Sequence, residues 1–172
     1  GERNRRGGGV IRAAVARSWG AGVAKACKQP FPDCSRCRRP QNKVLREAWG
    51  CDAPAQRVVW ESSCSRCYGN DPDCKRCEGR GDVGHYQCPT AIIKNSSAST
   101  QLHLDLLMRS YHHYDARNVL PVSGAWLDQS RSFLVCVDLI DSEVGHWERL
   151  MNEHNEREVK RAEASSSSKK RR

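Results

Sequence analysis

Ten cysteines stand at positions 27, 34, 37, 51, 64, 67, 74, 77, 88 and 136 of the 172-residue chain. Six of them form the C-x-x-C pairs Cys34/Cys37, Cys64/Cys67 and Cys74/Cys77, and His85-x-x-Cys88 makes a mixed fourth pair. The surroundings repeat as well: PDCSRC at 32–37, PDCKRC at 72–77 and the looser SCSRC at 63–67. Repeated units of one kind point to one repeated job. A C-x-x-C turn places two sulfurs on one side of a tight loop, in reach of a single ion at Zn–S distances of about 2.3 Å, and two such turns complete a tetrahedron. Gly69 and Gly79 each sit two residues beyond the second Cys of a pair, where freedom at positive φ lets backbone N–H groups face the thiolates. Arg66, Lys75 and Arg76 offset the charge of a four-thiolate site.

Disulfides, redox chemistry and an iron–sulfur cluster compete with zinc for these residues. A disulfide framework belongs to exported proteins, and the opening GERNRRGGGVIRAAVARSWGAGVAKA has no solid apolar stretch of the kind a signal peptide carries. A thioredoxin-type site uses one pair on a βαβ pattern, not three pairs in a Gly-rich zone. Zinc, one ion or two, is the expected cofactor, and secretion is not expected. The partition of ligands stays open. Cys64/Cys67 with Cys74/Cys77 is one closed set, and Cys74/Cys77 with His85/Cys88 through a hairpin at DVGHYQ is another. With two ions, Cys34/Cys37 pairs either with His85/Cys88 around the inner set or with Cys64/Cys67. Cys27, Cys51 and Cys136 stand alone, Cys136 beside an apolar stripe.

The elements that would carry these residues are thinly supplied with core. Hydrophobic residues make up 38% of the chain and mean hydropathy is −0.75, so a metal staple is in keeping with the composition. No apolar run approaches the ~20 residues of a membrane span. The net charge of +9 sits at the ends: residues 1–40 carry ten Lys/Arg against two acids, and 159–172 carry six against one. Residues 41–158 have thirteen against seventeen. Basic ends suit contact with nucleic acid, although solvated disordered tails have the same composition. Exposed-looking aromatics for base stacking are few in the knuckle zone, only Tyr68 and Tyr86.

Downstream, Leu104, Leu107, Met108 and Tyr111 recur at helical spacing, and that helix should end near Asn118, ahead of Pro121. A second helix is expected after Asp128 as N-cap. Its stripe is regular: Phe133, Val137, Ile140, Val144, Trp147 and Met151, with Asp138, Asp141, Glu143, Glu148 and Arg149 falling off it. Core packing against the first helix is the plain use of that stripe. A two-helix hairpin buries little on its own, so the same six residues are the candidate face for a protein partner. The expected fold is a small α protein with a zinc knuckle. A basic disordered extension, with a short helix over 10–27 as the alternative, covers 1–33, a Cys-rich zinc-stapled loop and hairpin region 34–91, an αα-hairpin 101–158 and a basic disordered tail 159–172.

No catalytic constellation emerges. His112 and His113 are adjacent and point to different faces of a helix, Asp138 and Asp141 suit a solvated helix face, and GRGDVG at 79–84 belongs to the knuckle. A zinc filled by four protein ligands has no position for water. A non-enzymatic protein is expected.

Two resemblances follow from these motifs. CKRCEGRGDV at 74–83 resembles the C-x-x-C-x-G-x-G repeat of the DnaJ-type cysteine-rich domain. CSRCYGND at 64–71 follows it in part, with Asp71 where the last Gly would stand, and Cys34/Cys37 lacks the Gly. A His-Pro-Asp signature is missing, so only the zinc device is implied. The order WGCDAP (49–54), the knuckle, CP (88–89) and YHHYDARNVLPVSGAWLDQSRSFLVCVDLIDSE (111–143) is similar to small Cys-rich proteins encoded among the virion and tail genes of tailed bacteriophages. That resemblance covers roughly 44–151. It implies a zinc-stapled tail-assembly or virion-associated adaptor in the host cytoplasm or the virion, with a phage tail component as partner. Nucleic acid bound through the basic ends is the alternative.

Overall fold

In the computed structural model the described residues are 3–29, 31–32, 34–37, 40–64, 66–67, 70–125 and 129–169. Helices dominate, and the Cys zone contributes one two-stranded ribbon. Helix α1 (Arg3–Val15) runs through a π-helical stretch (Ala16–Gly20) into α2 (Ala21–Ala26). The short α3 (Cys34–Cys37) and α4 (Lys43–Ala48) lead to β1 (Trp60–Ser63) and β2 (Asp82–His85). Helices α5 (Pro89–Lys94), α6 (Ala98–Arg117) and α7 (Arg131–Lys169) complete the chain.

The first segment is the main departure from the sequence reading. Residues 1–33 were expected as a disordered extension with at most a short helix over 10–27, yet helix begins at Arg3 and Val10, Arg12, Ala13, Ala14, Val15 and Ala16 are buried. Averaging over forty residues let the flanking arginines hide a short run, VIRAAVA, that is apolar nearly all round. A helix of that kind belongs in an interior. Alanine both favours helix and lets neighbours approach closely, and α1 lies against α5, α6 and α7. The core comprises Ala13, Val15, Ala16, Trp60, Tyr111, Val137, Ile140 and Trp147. Gly20, in the π-helical stretch, lies against the Trp147 indole, where a Cβ would come within 2.7 Å of a ring carbon.

The downstream helices follow their patterns at the ends and depart in their packing. α6 stops at Asn118, whose left-handed φ of 53° closes the helix with bonds to His113 and Tyr114 carbonyls. Asp128, expected as the cap of the next helix, lies outside the described residues; the Ser130 hydroxyl accepts from Phe133 N–H at 3.2 Å and caps α7. The αα-hairpin does not form as a self-contained pair, because α7 rests chiefly on α1, the π-helical stretch, α2 and β1. Val137, Ile140 and Trp147 are buried there, while Phe133, Val144 and Met151 are half-buried. The stripe was a candidate partner-binding face, and the chain's own core takes up Val137, Ile140 and Trp147 fully and Phe133 and Val144 in part. Nor does the helix end at 158: α7 continues to Lys169, where a disordered tail was expected from 159. Its sequence there is rich in strong helix formers, and Glu153–Arg157 (3.0 Å) and Glu158–Arg161 (2.6 Å) pair along its surface. No described helix is long and apolar enough to cross a membrane.

Candidate metal centre

The Cys knuckle is the loop between two paired strands. β1 and β2 run antiparallel with Trp60 opposite His85 and Ser63 opposite Asp82, so Cys64 leaves one strand where Gly81 enters the other. Cys64 N–H donates to the Gly81 carbonyl at 2.7 Å and closes the base of the loop. Two tight turns follow. Asn70 N–H donates to the Cys67 carbonyl at 2.8 Å, and Arg80 N–H to the Cys77 carbonyl at 3.0 Å. Gly79, at φ +75°, packs against the Pro72 carbonyl where a Cβ has no room. That close approach turns the chain so that Gly81 N–H donates to Cys77 Sγ at 3.3 Å. Gly69, the matching position in the first turn, lies outside the described residues.

The four sulfurs of Cys64, Cys67, Cys74 and Cys77 are buried and all lie within 4.8 Å of one another. Cys64 Sγ is 3.8 Å from Cys74 Sγ, and Cys67 Sγ is 3.5 Å from Cys77 Sγ. A tetrahedron with Zn–S bonds of about 2.3 Å has edges of about 3.8 Å. The spacing therefore fits one ion, and two pairs that meet in this way could hold zinc. Burial opposes ionisation of Cys64, yet the backbone N–H groups of Arg66 and Cys67, with the Cys67 and Cys77 thiols, outweigh it and bring the thiol down to about 7. Arg66, Lys75 and Arg76 are exposed around the knuckle.

A buried polar layer fixes this ribbon to the helices. Ser63 precedes the first ligand; its N–H and hydroxyl donate to the Glu143 carboxylate at 3.3 and 3.0 Å. The same carboxylate lies 3.3 Å from Arg12 Nε of α1, with both side chains buried. Glu143 was expected on the solvent side of α7 and is instead fully buried. Burial pushes its carboxyl up to about 7, against the pull of Arg12 and the bonds from Ser63. Beside it, His146 Nδ1 is 3.0 Å from Asp82 Oδ1 at the start of β2. Sequence periodicity missed this layer because Arg12 and Glu143 are charged, and each is buried only by virtue of the other.

His85 does not join the sulfurs. Its ring stacks on Trp60 with centroids 3.9 Å apart, and its Nε2 lies 2.7 Å from the Ser62 hydroxyl. Burial, then the charges of Arg12 and Arg76, lower its pKa to about 4. The set Cys74/Cys77 with His85/Cys88 is thereby corrected: His85 ends β2 opposite Trp60, at the end of the ribbon away from the knuckle. Cys34, Cys37 and Cys88 also lie away from the first four sulfurs. They line a separate cavity of about 290 Å³, and Cys51 lines it too. Burial first, then Cys88 and Cys37, push the Cys51 thiol up to about 12. No protein-family model matches the chain, and neither does any curated protein or solved structure.

Proposed function

We propose that this chain is a zinc-stapled, non-catalytic adaptor that binds another protein. The observation that carries the reading is the buried Cys64/Cys67/Cys74/Cys77 set, with all sulfurs within 4.8 Å. Four thiolates fill a tetrahedral zinc and leave no position for water or substrate, so the ion would act as a staple. The similarity of 44–151 to small Cys-rich phage proteins supports a tail or virion component as the partner, met in the host cytoplasm during assembly.

The docking face is the part of α7 beyond Met151. The stripe from Phe133 to Trp147 is taken up, fully or in part, by the chain's own core, whereas α7 runs on to Lys169 and residues 155–165 are exposed. Binding of the full chain and of a version ending at Met151 to purified candidate tail proteins, at about 50 and about 200 mM salt, tests the reading. Binding to a tail protein that is lost on truncation, without affinity for nucleic acid, is the expected result. Affinity for nucleic acid that falls steeply with salt, without protein binding, would replace the adaptor with the nucleic-acid reading.

A further inference from the structure

We propose that Cys34, Cys37, Cys51 and Cys88 form a second tetrathiolate zinc site, in which Cys51 and not His85 completes the ligand set. Three separate segments converge on the cavity they line. Cys34 and Cys37 are the ends of the single-turn α3, and residues three apart share one helix face. Cys51 follows α4, held by its N–H to the Arg46 carbonyl at 2.9 Å. Cys88 is the N-cap residue of α5. Gly50, at φ +63°, lies directly against the Tyr86 carbonyl, where a Cβ would not fit. That contact draws Cys51 up to the segment leading into Cys88, two residues beyond Tyr86.

Cys34, Cys37, Cys51 and Cys88 all face this one cavity. Cys34 Sγ is 3.1 Å from Thr90 Oγ1, and Thr90 lines the same cavity. Among the described residues only the first set has three or more ligand atoms all within 4.8 Å, so the second must tighten around its ion. Rotation of one cysteine χ1 between staggered wells moves a sulfur by roughly 3 Å, which is the scale of adjustment needed. The rest of the lining is wrong for a patch of core: Arg46, Asp52, Thr90 and Lys94 stand around the sulfurs. Arg46 is paired with Asp52 at this lining. Such cations offset the charge of four thiolates.

Zinc content of the purified full chain and of Cys51→Ser, Cys74→Ser and His85→Ala, by elemental analysis, tests the proposal and separates it from the first centre. Two zinc per wild-type chain, one in each Cys variant and two in His85→Ala is the expected pattern. Two zinc in Cys51→Ser overturns it. One zinc in the wild type with none in Cys74→Ser also overturns it while leaving the first centre standing; no zinc in the wild type sinks both. Should Cys51→Ser not fold, alkylation of the wild type mapped by mass spectrometry decides. Cys34, Cys37, Cys51 and Cys88 should be protected until a chelator is added. Equal labelling with and without chelator, or a disulfide among the four, refutes the site.

Discussion

Replacing Arg12 by Met removes a charge from the chain's interior and leaves the Glu143 carboxylate facing it. The two groups are 3.3 Å apart and both buried. At an effective dielectric of 20 such a pair attracts by about 5 kcal/mol, and removing one partner of a buried pair typically costs about 3–5 kcal/mol. The more discriminating consequence is pH dependence. Glu143 has its carboxyl raised to about 7 in the fold, so its stabilising contribution is fully present below about pH 4.5, the unfolded value, and is lost as pH rises through 7. In the wild type the loss stops there, because Arg12 accepts the ionised form. In Arg12→Met the folded pKa lies higher still and the loss continues at about 1.4 kcal/mol per pH unit. The gap between variant and wild type should therefore widen by about 2 kcal/mol between pH 7 and pH 8.5. Urea unfolding of both proteins at matched pH reads this directly, since the pH dependence of the metal ligands is common to both. A gap that stays constant over that range would refute the buried pair. The double variant Arg12→Met/Glu143→Leu should recover part of the loss, because an apolar pair replaces two buried charges while the Ser63 N–H and hydroxyl lose their acceptor.

Other perturbations separate the parts of the account. Ile140→Ala, at a fully buried position on α7, should destabilise by about 2–5 kcal/mol in chemical denaturation, whereas Val135→Ala, half exposed on the same helix, should change stability by under about 0.5 kcal/mol. Gly20→Ala drives a methyl into the Trp147 indole and should cost about 1–3 kcal/mol, with a change in Trp fluorescence. His85→Ala should leave zinc content untouched. It should also remove a pH-dependent contribution: neutral His85, with its pKa lowered to about 4, stabilises fully above about pH 6.5 and loses that contribution as pH falls towards 4. Stability curves of wild type and His85→Ala that run parallel from pH 4 to 7 would contradict the buried stack on Trp60.

Much of the centre could be read from spacing, because a C-x-x-C turn is a local device and its Gly positions announce the backbone it needs. Gly79 has the positive φ that the motif asks for. The end of α6 was equally local: Asn118 supplies the left-handed cap ahead of Pro121. The remainder depended on what packs against what. Cys51 has no partner within its own motif and reaches the cavity lined by Cys37 and Cys88 through the approach of Gly50 to Tyr86. Strand β2 was hidden because DVGH pairs with residues on the far side of the knuckle. Arg12 and Glu143 carry charge, which in isolation signals solvent, and only their mutual burial reverses the sign. The stripe of α7 was found correctly as a stripe, while its partial covering by the N-terminal helices was not visible in a segment whose composition reads as a basic tail.

The central claim is that Cys64, Cys67, Cys74 and Cys77 hold a structural zinc. Zinc K-edge X-ray absorption on the purified full chain, with its zinc content set against that of Cys74→Ser, tests it most directly. The account predicts bound zinc with a shell of four sulfurs at about 2.3 Å and no nitrogen or oxygen shell. A chain that carries no zinc, or a zinc with an oxygen or nitrogen neighbour at about 2.0 Å, would contradict it.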